Sequence, residues 1–467
     1  MPLRLTPVFC RLAGRDSRLE SNRLAVLSAR IADVLRRRPG LRRILSNTAW
    51  MYADRILRMT VGLLVGVWLA RYLGPHAFGQ FSYALALVAL FGALSTLGLD
   101  RVLVRDLVGA SAARHELLGS ALVLRLFGSA VAMSAAVLCV RVFRPDDATT
   151  QQLVVVVAAG MFVQALDVLE LWFQSRLESR YTVVAKGAAF LAATAAKIAL
   201  ILIGAPVIAF AWAILLDVLL AAAGLVVAYR ISGESFARWR ASVSGALALL
   251  KPALPLIFSG IAVSIYMKID QIMLGEMLGD AAVGAYSAAV HLCEATYFVA
   301  GVMVASLFPV IVSSRASNKQ LFLARMQRLF DLMVMVGIGL ALPLSLFSPY
   351  IIQILYGDAY SAASGVLAIY AWAAIFVFLG VASSSYLLAE NLTIVSLYRT
   401  TLGAVTNVGL NLLLIPRFGI TGAAYATLIS YGVAAYGVFL DRRARVAGVM
   451  MLRALLPLRV FRPGTKA

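Results

Sequence analysis

Leu73-Gly74-Pro75-His76-Ala77-Phe78-Gly79-Gln80-Phe81-Ser82-Tyr83-Ala84 returns 205 residues later as Leu278-Gly279-Asp280-Ala281-Ala282-Val283-Gly284-Ala285-Tyr286-Ser287-Ala288-Ala289. Six of the twelve positions are identical, and aromatic Phe81 is matched by Tyr286. Each copy begins where one long apolar stretch ends and runs into the next. One helical hairpin is therefore written twice, once in each half of the chain. Duplicated halves are a common way to build a substrate path through a bilayer. Ala211-Trp212-Ala213 and Ala424-Tyr425-Ala426, 213 residues apart, extend the pairing.

The rest of the chain fits that reading. Of its 467 residues 62% are hydrophobic, and the mean hydropathy is +0.89. Soluble domains are about 45–50% apolar, so a bilayer is the solvent these residues need. A span takes about 20 apolar residues. Twelve windows qualify: 46–72, 77–99, 117–141, 152–176, 182–204, 206–229, 253–274, 282–312, 327–349, 363–388, 391–415 and 418–440. The expected fold is an all-α integral membrane protein, with about twelve helices in two six-helix lobes around a central cavity. A basic arm (1–45) precedes the first lobe (46–229). A linker (230–252) joins it to the second lobe (253–440), and a basic tail (441–467) follows. The arm lacks the features of a cleaved signal peptide. Its residues 17–38 suit either a surface amphipathic helix or a disordered segment. Residues 350–362 are too short to span and read as interfacial.

The formal charge of +20 raises the question of nucleic acid, and its distribution answers it. With both termini cytoplasmic, 32 of the 42 Lys and Arg residues fall on the inner side and 4 on the outer side. Without the two tails the ratio is still 14 to 4. This is the positive-inside pattern. The basic loops then face anionic membrane lipids, and no nucleic-acid partner is expected.

The sequence contains no G-x-x-x-x-G-K-[ST], G-x-S-x-G or H-E-x-x-H motif, and Cys10, Cys139 and Cys293 have no ligand spacing. No ATPase, other enzyme, cofactor or metal site is expected. A carrier driven by an ion gradient, the membrane potential or the substrate gradient fits better.

A charge at the centre of a membrane helix costs about 2.5–3.5 kcal/mol on insertion scales, so it normally faces a partner or a wet cavity. Arg55 and Arg58 are three apart and share a side; Lys186 and Lys197 are eleven apart, again one face. With Arg125 and Lys268 they are candidates for binding an anionic group, and Arg suits forked phosphate contacts. Structural roles compete with this one. Asp54 can pair with Arg58, Asp217 with Lys197, and Arg125, Glu170 and Lys186 can snorkel. Asp217, Asp270, His291 and Glu294 are candidates for coupling to Na+ or H+. His291 and Glu294 also fit a satisfied buried pair, and Lys268 and Asp270 fit an interfacial position. The small residues of the repeat, Gly74, Gly79, Ser82, Gly279, Gly284 and Ser287, read as packing. Pro252, Pro255 and Gly260 read as a bend in span seven.

Four blocks in order carry a resemblance. The first is Ile44-Leu45-Ser46-Asn47-Thr48-Ala49-Trp50 with Leu69-Ala70-Arg71-Tyr72-Leu73-Gly74-Pro75 and Phe78-Gly79-Gln80-Phe81-Ser82. The second is Lys268-Ile269-Asp270-Gln271-Ile272-Met273-Leu274-Gly275 with Val283-Gly284-Ala285-Tyr286-Ser287-Ala288-Ala289. The third is Leu355-Tyr356-Gly357-Asp358-Ala359-Tyr360. The fourth is Phe418-Gly419-Ile420-Thr421-Gly422-Ala423-Ala424-Tyr425-Ala426-Thr427.

Together they resemble the Wzx-type lipid-linked oligosaccharide flippases and polysaccharide exporters of the multidrug/oligosaccharidyl-lipid/polysaccharide superfamily. The resemblance implies an inner-membrane protein of bacteria. It would move an undecaprenyl-pyrophosphate-linked oligosaccharide to the periplasmic leaflet by alternating access, alongside a polysaccharide polymerase and assembly proteins. The alternatives are a cation-coupled multidrug exporter of the same superfamily, a peptidoglycan-precursor flippase and a non-transporting scaffold. A membrane glycosyltransferase would need a larger loop than any present.

Overall fold

The computed structural model describes residues 39–109, 114–315, 318–390 and 392–456. The expectations for the basic arm up to residue 38 and for the end of the tail lie outside these residues. Among those described, ten continuous helices are long and apolar enough to cross a membrane, and there are no strands. Two of the ten are pairs. Pro39–Thr96 breaks at Gly74 into α1 (39–73) and α2 (75–96), and Thr393–Tyr436 breaks at Gly419 into α13 (393–418) and α14 (420–436). The others are α4 (Arg114–Phe143), α5 (Ala148–Ser175), α6 (Ser179–Leu202), α7 (Val207–Ile231), α8 (Val243–Leu278), α9 (Asp280–Ser313), α10 (Lys319–Leu346) and α12 (Ala363–Ala389). The total of twelve agrees with the sequence reading.

Three short helices lie between or after the spans: α3 (Leu99–Gly109), α11 (Ser348–Tyr356) and α15 (Arg445–Leu455). α11 coincides with the segment read as interfacial. α8 starts ten residues before the apolar window of span seven. Ser242 caps it by accepting from the Gly245 amide at 2.9 Å, so the cap rather than hydropathy sets the start. α8 runs on through Pro252 and Pro255.

The repeated hairpins turn at Gly74 (φ 72°) and Gly279 (φ 86°), a backbone region that favours glycine. They then pack on each other. A Cβ on Gly79 would collide with the carbonyl oxygen of Asp280, and a Cβ on Gly284 with that of Pro75. The reading as packing holds for Gly79 and Gly284, which pack one lobe against the other, whereas Gly74 and Gly279 serve the turns and have open space where a Cβ would stand. Tyr360 adds a hydrogen bond from its hydroxyl to the Ala70 carbonyl at 2.6 Å. This junction forms one buried cluster with Phe78, Tyr83 and Tyr286.

Away from the repeated turns the two sides of the junction differ. α2 stays against α8: a Cβ on Gly260 would lie 3.1 Å from Ala93, and one on Gly98 2.9 Å from Leu256. α1 and α9 instead turn to different partners. The half of α1 far from Gly74 packs on α6, with the Arg58 guanidinium 5.0 Å over the Phe190 ring. The 298–313 arm of α9 packs on α10 and α12.

Candidate functional site

Between α4 and α5 the chain turns with Arg144-Pro145-Asp146-Asp147. Arg144 is 9% exposed and reaches across the lobes. It donates to Asp280 at 2.5 Å, to Glu276 at 2.9 Å and to Asp147 at 3.4 Å, and its guanidinium lies 3.8 Å over the Tyr83 ring. Burial disfavours its charge, but Asp280 and Glu276 outweigh that and hold its pKa above the usual value. Asp147 caps α5 through the Thr150 amide at 2.9 Å. Burial pushes its carboxyl up, but the Thr150 hydrogen bonds and the Arg144 charge outweigh that and leave it below the usual value. The face that the charge count places outside is therefore closed twice, by backbone contact and by ion pairs.

In the first lobe the candidate cations gather between α1, α5, α6 and α7. Arg58 donates from Nε to Asp54 at 2.8 and 3.0 Å, the pairing their spacing allowed. Its Nη2 is buried without a partner. Arg55 is exposed and makes no ion pair among the described residues. Lys186 does more than snorkel: it closes ion pairs with Asp167 at 2.8 Å and Glu170 at 2.5 Å. Asp217 faces Lys197, Arg58 and Lys186, yet the expected Lys197–Asp217 pair does not close to within 4.0 Å. Among the described residues of this lobe surface the uncommitted cationic groups are thus Arg55, Lys197 and the terminal nitrogens of Arg58.

Arg125 stands apart from this surface. It is 3% exposed and bonds Asp100 on α3, tying that helix to α4. Asp100 follows span two in sequence, and no spacing rule linked it to Arg125.

In the second lobe, Lys268 pairs with Glu294 at 3.1 Å. Glu294 therefore has a partner other than His291, whose ring lies edge-on to Phe78 at 6.0 Å. Asp270 is buried at 2% exposure instead of interfacial. It accepts from Tyr286 Oη at 2.7 Å, from Asn411 Nδ2 at 2.6 Å and from Thr427 Oγ1. Asn411 bonds Asn407 at 3.1 Å, and Asn411 Oδ1 is buried with no partner. One carboxylate, an uncommitted amide oxygen and hydroxyls offer hard oxygen donors, which suit a small cation or a proton. Asn407 and Asn411 escaped notice, although two asparagines four apart in an apolar span were a signal. No group of three or more His, Cys, Asp or Glu able to hold a metal occurs among the described residues.

Comparison with known proteins fits this architecture. The family profile described as polysaccharide biosynthesis protein matches residues 44–315, and the MatE profile matches 255–413. The probable low-salt glycan biosynthesis flippase Agl15 of Haloferax volcanii is 28% identical over 217 residues. That match covers 45% of this chain and 45% of that protein, so the chain aligns with under half of its relative's length. Among solved structures, lipid II flippase MurJ in an inward closed conformation has a TM-score of 0.66 at 14% identity, covering 89% of this chain and 92% of that one. An inward-facing multidrug resistance MATE transporter of the MOP superfamily has a TM-score of 0.65 at 17% identity, covering 84% and 95%. At these identities the likeness is one of fold.

Proposed function

From the premise that this chain belongs to the polysaccharide biosynthesis protein family, we propose that it is a flippase for a lipid-diphosphate-linked oligosaccharide. It works by alternating access and is held here in an inward-facing state. One observation carries the reading. The outer ends of the lobes are locked by Gly79, Gly284 and Arg144, while the inner half of α1 diverges from α9 and presents Arg55 and Arg58.

The diphosphate meets Arg55, the open side of Arg58 and Lys197 from the inner leaflet. Guanidinium and ammonium groups suit that charge, and loosely committed ones bind without first breaking a strong pair. The sugars travel between the lobes and the lipid tail stays in the bilayer. Asp270, with Asn407, Asn411 and Thr427, is the proposed coupling site for Na+ or H+, because its carboxylate is buried beside an unsatisfied amide oxygen. Lys268, Glu294 and His291 line the same lobe and tune that site. Arg125 and Lys186 serve the framework, each through its carboxylates. The inner membrane, cytoplasmic termini and a polymerase partner follow from the same reading.

The test is transport in proteoliposomes. Wild-type protein should move a fluorescent polyprenyl-diphosphate oligosaccharide, and Arg55→Ala with Arg58→Ala should abolish that transport at equal protein level. Undiminished transport by the double variant would sink the proposal. Transport of a cationic drug in place of the lipid would point to an exporter.

A further inference from the structure

Arg399 is a buried cation that the sequence reading counted only as part of the inner charge. It stands on α13 at 5% exposure. Nη2 donates to the Gly380 carbonyl at 3.0 Å and to Ser384 Oγ at 2.5 Å. Nε and Nη1 are buried and have no hydrogen-bond partner. Among the described residues it makes no ion pair. The side chain is held from behind, since a Cβ on Gly437 would lie 2.8 Å from the Arg399 Cβ. A guanidinium does not deprotonate in proteins. A buried ion without a counter-charge carries a penalty of several kcal/mol, and a neutral side chain of similar size would avoid it.

The residue lines a cavity of about 190 Å³ between α8, α12, α13 and α14. Hydroxyl-bearing Ser384, Ser396, Thr400, Tyr266 and Tyr431 share its wall, and the two tyrosine rings lie 4.8 Å apart. That volume is below the roughly 300–1,000 Å³ of sites for drug-sized ligands. It fits a single charged group with part of what bears it.

We propose that this cavity is an oxyanion site of the second lobe, in which Arg399 binds one carboxylate or phosphate group. It is separate from the basic surface of the first lobe. The oxyanion supplies the missing counter-charge, accepts from the uncommitted guanidinium donors and meets the surrounding hydroxyls. Hydroxyls beside aromatic rings favour an acidic sugar as the bearer. That choice of source rests on the flippase reading; the existence of the site does not.

The experiment measures thermal stability of the full chain in phosphatidylcholine nanodiscs, with glucuronate, glucose or inorganic phosphate added. A second set of nanodiscs contains phosphatidylglycerol. Glucuronate should raise the Tm and glucose should not. The gain should survive Arg58→Gln and vanish in Arg399→Gln. An Arg399-dependent gain with phosphate alone, or with phosphatidylglycerol alone, supports the oxyanion site and reassigns its source to a phosphate or a lipid headgroup. If Arg399→Gln does not fold, Arg399→Lys keeps the charge without the fork and should weaken the probe's apparent affinity at least several-fold. No gain in wild type, a gain that persists in Arg399→Gln, or an undiminished apparent affinity in Arg399→Lys overturns the site. Failure of the transport test with Arg55 and Arg58 would leave these binding results untouched.

Discussion

The carbonyl oxygen of Asp280 occupies the place where Gly79 would carry a Cβ. The two residues lie in opposite copies of the repeat, and their contact brings the lobes together at the face that the charge count places outside. Gly79→Ala therefore obstructs closure. Overpacking costs about 1–3 kcal/mol, and about 1.4 kcal/mol is a factor of ten in an equilibrium. The population should move toward the outward-open state by about ten-fold or more. Gln80→Cys in that background should react faster with a membrane-impermeant maleimide added from outside. An unchanged rate in folded protein would count against the closure role.

Arg144 ties the same face electrostatically. Arg144→Ala leaves Asp280 and Glu276 without their cation, and removing one partner of a buried pair costs about 3–5 kcal/mol. The partial exposure of Glu276 puts the expected effect at the low end. Spin labels on the outer ends of the lobes should report a longer separation in this variant.

Acid should loosen the outer face through Asp147. Its folded pKa lies below the ordinary 3.8, so its stabilisation is fully present above that value and is lost as pH falls through the lower folded value. Arg144, whose pKa is raised, keeps its charge throughout. The separation of spin labels on the outer ends of the lobes should stay flat from neutral pH down to about the ordinary carboxylate value and lengthen below it, whereas maleimide labelling of Gln80→Cys, which needs the thiolate, reads the face near neutral pH. Asp147→Asn should already label faster at neutral pH.

Asp270→Asn preserves the shape of the buried network but removes its charge. Transport should lose its dependence on the driving cation gradient while the protein still folds. Asp270→Ala leaves Tyr286 and Asn411 short of an acceptor, while Thr427 still has the Ala423 carbonyl at 3.0 Å. Each buried donor left unsatisfied costs about 1–3 kcal/mol, so this variant should show a clearly lower Tm. Gradient-dependent transport by Asp270→Asn at the wild-type rate would exclude a coupling role.

Lys186 and Lys197 look alike in sequence and should behave differently. Lys186→Met leaves Asp167 and Glu170 facing each other without their shared cation, so the Tm should fall. Lys197→Met breaks no ion pair and should leave the Tm unchanged or higher, while transport falls. Equal thermal effects in the two variants would contradict the pairing described here.

The helices were legible in sequence because burial in lipid imposes a local rule: about twenty apolar residues in succession. The repeat and the charge count needed no tertiary information either. The site was legible only in part. The 54/58 pair follows from helical spacing, and Arg55 and Arg58 were found that way. For Asp270 an interfacial position stayed open beside a coupling role, because its position along α8 says nothing about which way that helix faces. Its partners Asn411 and Thr427 lie 141 and 157 residues away. Arg399 was read as topology for the same reason, since only packing reveals that no carboxylate pairs with it.

By itself the sequence determined a twice-built bundle of twelve membrane helices and the charge asymmetry of its connections. Hydropathy, glycine turns and charge asymmetry act within one helix or loop, so they can be read along the chain. The tertiary structure decided which cations are neutralised, that Gly79 and Gly284 close one lobe on the other, and that Asp270 and Arg399 are buried. Those outcomes depend on the rotation of each helix about its axis, which is fixed by its neighbours on other helices.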